Sequence, residues 1–290
     1  MLKQIKYLSE ALLACIYFLV CYLLPLEVAS SLSGKLLEII GCLFEANKVA
    51  YKNLTLCFPN LSEQEKHKII KKMWNNLGRV VGEIPHWQTM SSKKFTEQIT
   101  ICDYSNGDFQ KVKSALFLSA HYGNWEIFPR FLKENNLNLS LVYRPANNPF
   151  VNYMISRARH KHGILLIKKG ISGIRKIMES LKLGRLIGML VDQKTNDGIE
   201  VPFFNLPART TSAPANLALK FNIPIYLACV TRIRGAQYKI EIFPAIVASK
   251  EENAYSIMSE INLKMEQWIR KDPTQWFWVH KRWDKEFYRN

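Results

Sequence analysis

His121 and Glu126 stand five positions apart in the stretch His121-Tyr122-Gly123-Asn124-Trp125-Glu126, an imidazole and a carboxylate of the kind that hold and pass a proton. On an uninterrupted helix, positions i and i+5 point about 140° apart, so these side chains meet only across a turn. The flanking residues supply one. Ser114 to Ala120 (SALFLSA) reads as a buried strand, Gly123-Asn124 as the turn with an N-cap, and Trp125 to Glu134 as a helix. His121 then sits at a strand's carboxyl end, where open α/β sheets gather their ligands. The plain alternative is a glutamate that complements a helix N-terminus and a histidine with ordinary hydrogen bonds.

Further polar residues follow other strands. Tyr143-Arg144-Pro145 succeeds the strand Leu139 to Tyr143, so Arg144 belongs to the same sheet edge, where it could clamp phosphate or carboxylate or simply be solvated. Arg157 and Arg159 lie two apart on a helix and cannot share a face, so one of them points to the site. Asp192-Gln193 ends the strand Leu186 to Val191, where an acidic residue is either a site residue or the cap of the next turn. No G-x-S-x-G elbow, Walker loop or dinucleotide fingerprint is present, which disfavours covalent serine catalysis and nucleotide use. His160-Lys161-His162 lacks the companion ligands of a zinc site, and no metal is expected.

The elements that must position these groups divide the chain. Residues 1 to about 105 read as mainly helical, with Ser62 opening a helix that carries Ile69, Ile70, Met73 and Trp74 on its apolar face. From Ser114 onward, strands and helices alternate: strand Gly163 to Ile167, helix Gly173 to Leu183, strand Leu186 to Val191, a loop Gln193 to Arg209, and helix Ser212 to Phe221. Ile223 to Ile233 and Gln237 to Phe243 form an antiparallel pair turning at Gly235, and Asn253 to Arg270 a last helix. The pattern is α/β, a mixed and mostly parallel sheet flanked by helices, behind an N-terminal membrane-associated helical region. The boundaries fall at residues 1–45 for membrane-anchoring helices, 46–105 for a helical region packed on the core, and 106–290 for the α/β domain.

Forty basic against twenty-four acidic residues leave a net charge of +16, which calls for an anionic partner. Ala11 to Leu26 runs sixteen residues without a charge, about 24 Å as helix. That is short of the roughly 30 Å of bilayer hydrocarbon, so the segment crosses a thinned bilayer or lies in one leaflet. A basic start and Val28-Ala29-Ser30-Ser31 also fit a cleaved leader loosely, whereas the second apolar stretch, Leu36 to Phe44, argues for a docking helical pair. Lys35, Lys48 and Lys52 make the far flank basic too, so the orientation rule does not choose. Six scattered cysteines read as reduced thiols. Pro273 to Trp283 packs three tryptophans and three basic residues into eleven positions, which suits a membrane interface, a nucleic-acid stacking surface or a core-closing segment.

Taken in order, these elements resemble the bacterial lipid A biosynthesis acyltransferase family, the late lauroyl and myristoyl transferases. The match rests on Asn53-Leu54 through Phe58-Pro59, Asn76-Leu77-Gly78, His121 to Glu126, Tyr143-Arg144-Pro145 with Asn147, Asp192-Gln193, Phe203-Phe204 and Pro273 through Trp283. The H-x-x-x-x-E element alone is shared with glycerolipid acyltransferases, whose sheet the resemblance implies here. One departure is Asp284, where the family carries a basic residue.

The resemblance implies fatty acyl transfer from an acyl carrier protein thioester to a hydroxyl of a lipid A precursor bearing its inner Kdo sugars. His121 would be the base, and Glu126 would hold its tautomer. Arg144, Arg159, Asp192 and Gln193 would bind substrate, with Arg159 the better match than Arg157. Backbone amides near Gly123 or an arginine would receive the oxyanion. The implied partners are acyl carrier protein as co-substrate, the anionic precursor and the inner membrane with the catalytic domain on its cytoplasmic side; no further cofactor and no nucleic acid are expected. Two rivals remain: acyl transfer from coenzyme A to another lipid, and a non-catalytic basic protein that binds membrane or nucleic acid.

Overall fold

Buried runs such as Leu116-Phe117-Leu118 build the centre of a seven-stranded sheet in the computed structural model, which describes residues 2–161, 163–249 and 251–289. The strands are β1 (Ile99–Asp103), β2 (Leu116–Ser119), β3 (Leu139–Tyr143), β4 (Leu165–Lys168), β5 (Leu186–Leu190), β6 (Ile199–Phe203), β7 (Leu206–Thr210), β8 (Ile225–Arg234) and β9 (Gln237–Ile242). The main sheet runs β1-β9-β8-β2-β5-β3-β4, and every neighbouring pair is parallel except β8 with β9. The α/β class and the mostly parallel sheet are therefore as expected. β2, with β5 and β8 on either side, is buried on both faces, as a parallel strand under two helical layers must be.

Eleven α-helices are described: α1 (Leu2–Leu23), α2 (Leu26–Ile40), α3 (Ala46–Cys57), α4 (Glu63–Thr89), α5 (Ser92–Glu97), α6 (Asp108–Lys111), α7 (Ile127–Glu134), α8 (Pro149–Lys161), α9 (Ile171–Lys182), α10 (Ala213–Phe221) and α11 (Ala254–Lys271). Ser62 starts α4 with a capping box, its hydroxyl accepting from the Glu65 amide while the Glu65 carboxylate accepts from the Ser62 amide. α2 lies so close against α4 that a Cβ on Gly78 would stand 2.2 Å from the Ser33 carbonyl oxygen, and one on Gly82 2.3 Å from the Ser33 hydroxyl. That approach fixes where α4 delivers Asn76 and Glu83, two buried polar residues the site depends on.

One expectation changes, and one that the sequence left open is decided. The stretch Gln193 to Arg209, read as a loop, contains the antiparallel ribbon β6–β7, whose residues alternate between buried and exposed. The tail closes the core, since Trp276, Trp278 and Trp283 are all buried and Arg282 is buried with them. The tryptophans are thus withdrawn from any membrane or nucleic-acid surface. Asp284, the departure from the family pattern, pairs with Lys194 at 2.5 Å and Arg209 at 3.1 Å, which ties the tail to the loop and ribbon beside the site. All six cysteines are free.

Candidate active site

Parallel register brings the site's two central groups together. Ser119 of β2 faces Leu190 of β5, and His121 and Asp192 each lie two residues further along their strands. Continuing the register therefore sets the imidazole beside the carboxylate: His121 Nδ1 lies 2.8 Å from Asp192 Oδ1, and the His121 amide donates to Asp192 Oδ2 at 2.9 Å. Trp276 Nε1 donates to the same Oδ2 at 2.8 Å. Burial would raise the Asp192 carboxyl, but the adjacent His121 charge and these donors outweigh it and hold the group at about 2. A carboxylate ionised and immobilised in this way keeps the proton on Nδ1. The imidazole's Nε2 is then the nitrogen free to accept one, and the Gln193 carboxamide stands 3.3 Å from it.

Glu126 has a different partner from the one expected. Its carboxylate accepts two hydrogen bonds from Arg159 Nη2, at 2.7 and 3.0 Å, and Asp192 occupies the position on His121 Nδ1 that Glu126 was expected to take. The physical reason is the turn: it carries the chain away from β2, so Trp125 packs edge-on against the imidazole at 5.1 Å between ring centres, and Glu126 begins α7 facing α8. Glu126 and Arg159 line a groove with Ile84, Trp87, Gln88 and Ile164. Arg157, two residues earlier, is exposed and among the described residues reaches only Tyr153, so Arg159 is the arginine of this pair that α8 turns toward Glu126. Arg144 is exposed just past β3, with no ion pair among the described residues. His160 is exposed on α8 and His162 lies outside the described residues.

A buried network holds the turn. Gly123 has φ +59°, and a Cβ there would fall 1.8 Å from the Val230 carbonyl oxygen, so only glycine fits. Its amide donates to the Gln275 carbonyl at 3.0 Å and its carbonyl accepts from Asn76 Nδ2 at 2.9 Å. Asn124 Nδ2 donates to Glu83 Oε2 at 2.9 Å, and Arg232 bridges Asn76 at 2.8 Å and Glu83 at 2.5 Å. Removing one partner of such a buried ion pair costs about 3–5 kcal/mol, which places the network among the strongest determinants of the turn. Replacing Gly123 by alanine is expected to destabilise the fold by at least about 3 kcal/mol, read as a fall in Tm together with activity. An unchanged Tm would mean that the turn tolerates a side chain this geometry forbids.

The amides of His121, Tyr122 and Gly123 donate to Asp192, Ala120 and Gln275, so of the backbone near Gly123 these three are engaged and the next amides of the turn, Asn124 and Trp125, are the ones left to consider for an oxyanion. One of the residues standing here was not singled out from the sequence. His280 places its ring 6.0 Å from that of His121 and 4.9 Å from Phe277. Partial burial of the ring, then the nearby His121 and Arg144 charges, keep it below the ordinary histidine value. At neutral pH it faces the site uncharged. Its spacing from Trp278 and Arg282 was visible in the tail, but nothing in the sequence tied the tail to His121; the structure does, through the Tyr122–Trp276 bridge and the Phe277 amide's bond to the His121 carbonyl.

A histidine–aspartate pair at the carboxyl edge of a mostly parallel sheet, beside an arginine-lined groove, is an arrangement of an α/β protein that suits general-base chemistry. The chain belongs to the bacterial lipid A biosynthesis acyltransferase family, whose sequence model matches residues 2–285. It is 24% identical over 243 residues to the lipid A biosynthesis lauroyltransferase of Escherichia coli K12, covering 81% of this chain and 78% of that protein. The palmitoleoyltransferase of the same organism is 25% identical over 244 residues, 81% of this chain and 77% of its own length. A lipid A biosynthesis acyltransferase of Haemophilus influenzae is 22% identical over 276 residues, 92% of this chain and 85% of its own.

Proposed function

We propose that the protein transfers a fatty acyl chain from an acyl carrier protein thioester to a hydroxyl of a Kdo-bearing lipid IVA-type precursor, at the cytoplasmic face of the bacterial inner membrane. The observation that carries this reading is the His121–Asp192 pair, set within a chain of the lipid A acyltransferase family. His121 Nε2 removes the proton from the acceptor hydroxyl as its oxygen attacks the thioester carbonyl, and the Asp192 carboxylate stabilises the imidazolium that forms. The tetrahedral oxyanion takes hydrogen bonds from a backbone amide of the turn after Gly123 or from side chains, with the Gln193 carboxamide and an arginine as the groups at hand. Collapse breaks the carbon–sulfur bond, and the departing thiolate recovers the proton from His121. No acyl-enzyme forms, and neither metal nor further cofactor enters the scheme.

Arg144 and the Arg159–Glu126 pair serve binding, since precursor phosphates and sugar carboxylates are anionic and a planar guanidinium matches both. The net charge of +16 draws the precursor, an acidic carrier protein and the anionic membrane surface toward the same molecule.

The test supplies the purified full-length chain in lipid with tetra-acylated precursor, with and without its Kdo sugars, and with acyl carrier protein or coenzyme A thioesters as donor. Mass gain of one acyl group from the carrier-protein thioester onto the Kdo-bearing precursor is the expected result. Transfer from coenzyme A alone would reassign the donor. No transfer from either donor would overturn the reading.

A further inference from the structure

We infer that α1 lies in the plane of the membrane, immersed in a single anionic leaflet beside the mouth of the site, and does not cross the bilayer. The inference rests on the membrane placement proposed above. By length and composition, Lys3–Leu23 could cross a membrane, with a mean hydropathy of 1.5, and only 11% of that stretch is buried. What the helix touches argues otherwise. Tyr7, Ala11, Ala14, Tyr17, Phe18 and Cys21 form one stripe turned toward the protein, while most of the remaining surface is open.

That stripe is pinned along its length. Asn148 Nδ2 donates at 2.9 Å both to the Tyr7 carbonyl and to the Glu10 carboxylate, while Asn148 Oδ1 accepts from the Phe150 amide at 3.0 Å and so caps α8. Cys15 Sγ lies 3.5 Å from Met154 Sδ on α8, and His86 Nε2 of α4 donates to the Cys21 carbonyl at 2.9 Å. The attachments from Tyr7 to Cys21 extend over about 21 Å of helix axis, most of α1. If α1 stood across the bilayer in this arrangement, α8 with its exposed Arg157 and His160 would be dragged through hydrocarbon, where charged side chains are strongly disfavoured.

Lying flat, the same helix meets no such conflict. Leu13, Leu19 and Leu23 on α1 are among the most exposed apolar residues of the chain, and Leu36, Ile39 and Leu43 at the end of α2 and just beyond add a second apolar face. Exposed Lys3, Lys6 and Lys35 flank these faces, as the headgroups of an anionic leaflet require. Asn148 thus couples the lipid-bound helix to the start of α8, the helix that carries Arg159. An amphiphilic acceptor held in the same leaflet could reach the groove by lateral diffusion, with its acyl chains still in the membrane.

The test expresses the full chain in bacterial cells with Cys15, Cys42 and Cys102 changed to serine, adding either Lys3→Cys or Lys285→Cys, both exposed positions. Each variant is treated with a membrane-impermeant maleimide in spheroplasts and in inverted vesicles. Labelling of both cysteines in inverted vesicles, at least tenfold over spheroplasts, is the expected result. Labelling of Lys3→Cys from the spheroplast exterior with Lys285→Cys labelled only in inverted vesicles would overturn the inference and show a crossing helix. Recovery of the chain in the soluble fraction would sink the membrane placement itself, a failure distinct from that of the in-plane orientation.

Discussion

Replacing His121 by alanine is expected to slow acyl transfer by about 10²- to 10⁴-fold with little change in the KM for the acceptor, because the base acts in the transition state and not in ground-state binding. A lipid hydroxyl is a poor nucleophile at neutral pH, and among the described residues the only imidazole held by a buried carboxylate is this one. His121 is mostly enclosed by Trp125, Phe277, His280 and Gln193, a half-dry setting that strengthens its interaction with Asp192. The measurement is steady-state transfer on the precursor, with circular dichroism and Tm to confirm that the variant folds. Turnover within threefold of the unaltered chain would remove His121 from the chemistry.

The Asp192→Asn variant is expected to lose activity over the same range, about 10²- to 10⁴-fold, for a reason visible in its hydrogen bonds. Asp192 Oδ2 accepts from two donors, the His121 amide and Trp276 Nε1, and Oδ1 accepts from His121 Nδ1. An amide cannot satisfy all three. With its oxygen toward the two fixed donors, its NH₂ faces Nδ1 and forces the imidazole into the tautomer protonated at Nε2, which cannot take a proton from the acceptor.

The same substitution changes acid stability. With a folded value of about 2 against an ordinary 3.8, Asp192 contributes stability that is complete above pH 4 and lost as pH falls through about 2. The contribution is on the order of 2 kcal/mol. Asp192→Asn is therefore expected to flatten the stability profile between those pH values, measured by denaturant midpoints. Glu126→Gln provides the contrast: it leaves the imidazole's partner in place and loosens Arg159, so its cost is expected in KM, with the pH profile of kcat unmoved. A kcat loss and altered pH profile for Glu126→Gln alongside an active Asp192→Asn would return the pairing to Glu126.

Much of the architecture was legible in one dimension. The capping box at Ser62, the strand Leu139 to Tyr143 and the antiparallel pair turning at Gly235 all stand where local pattern places them, because helix caps, short buried strands and tight turns are decided by neighbours in the chain. The ribbon β6–β7 carries Pro202 and Pro207, residues that central strands avoid; as a two-stranded ribbon outside the main sheet it needs fewer backbone donors, and those two prolines face each other in its register. The tail's role was open for a different reason: a tryptophan and an arginine carry the same letters in a core as at a membrane, and only packing against Phe203 and the pair to β7's carbonyl and hydroxyl at residues 209 and 210 decides for the interior.

The sequence by itself determined the residue types of the site and their places at strand ends: His121 after β2, Arg144 after β3, Asp192 and Gln193 after β5. Which carboxylate serves the histidine was decided by tertiary structure alone. Glu126 is five residues away along the chain and Asp192 seventy-one, yet parallel pairing sets β2 beside β5 in register while the turn at Gly123 sends Glu126 to Arg159. Hydrogen bonds between strands, and not distance along the chain, set the neighbour that holds the proton on Nδ1.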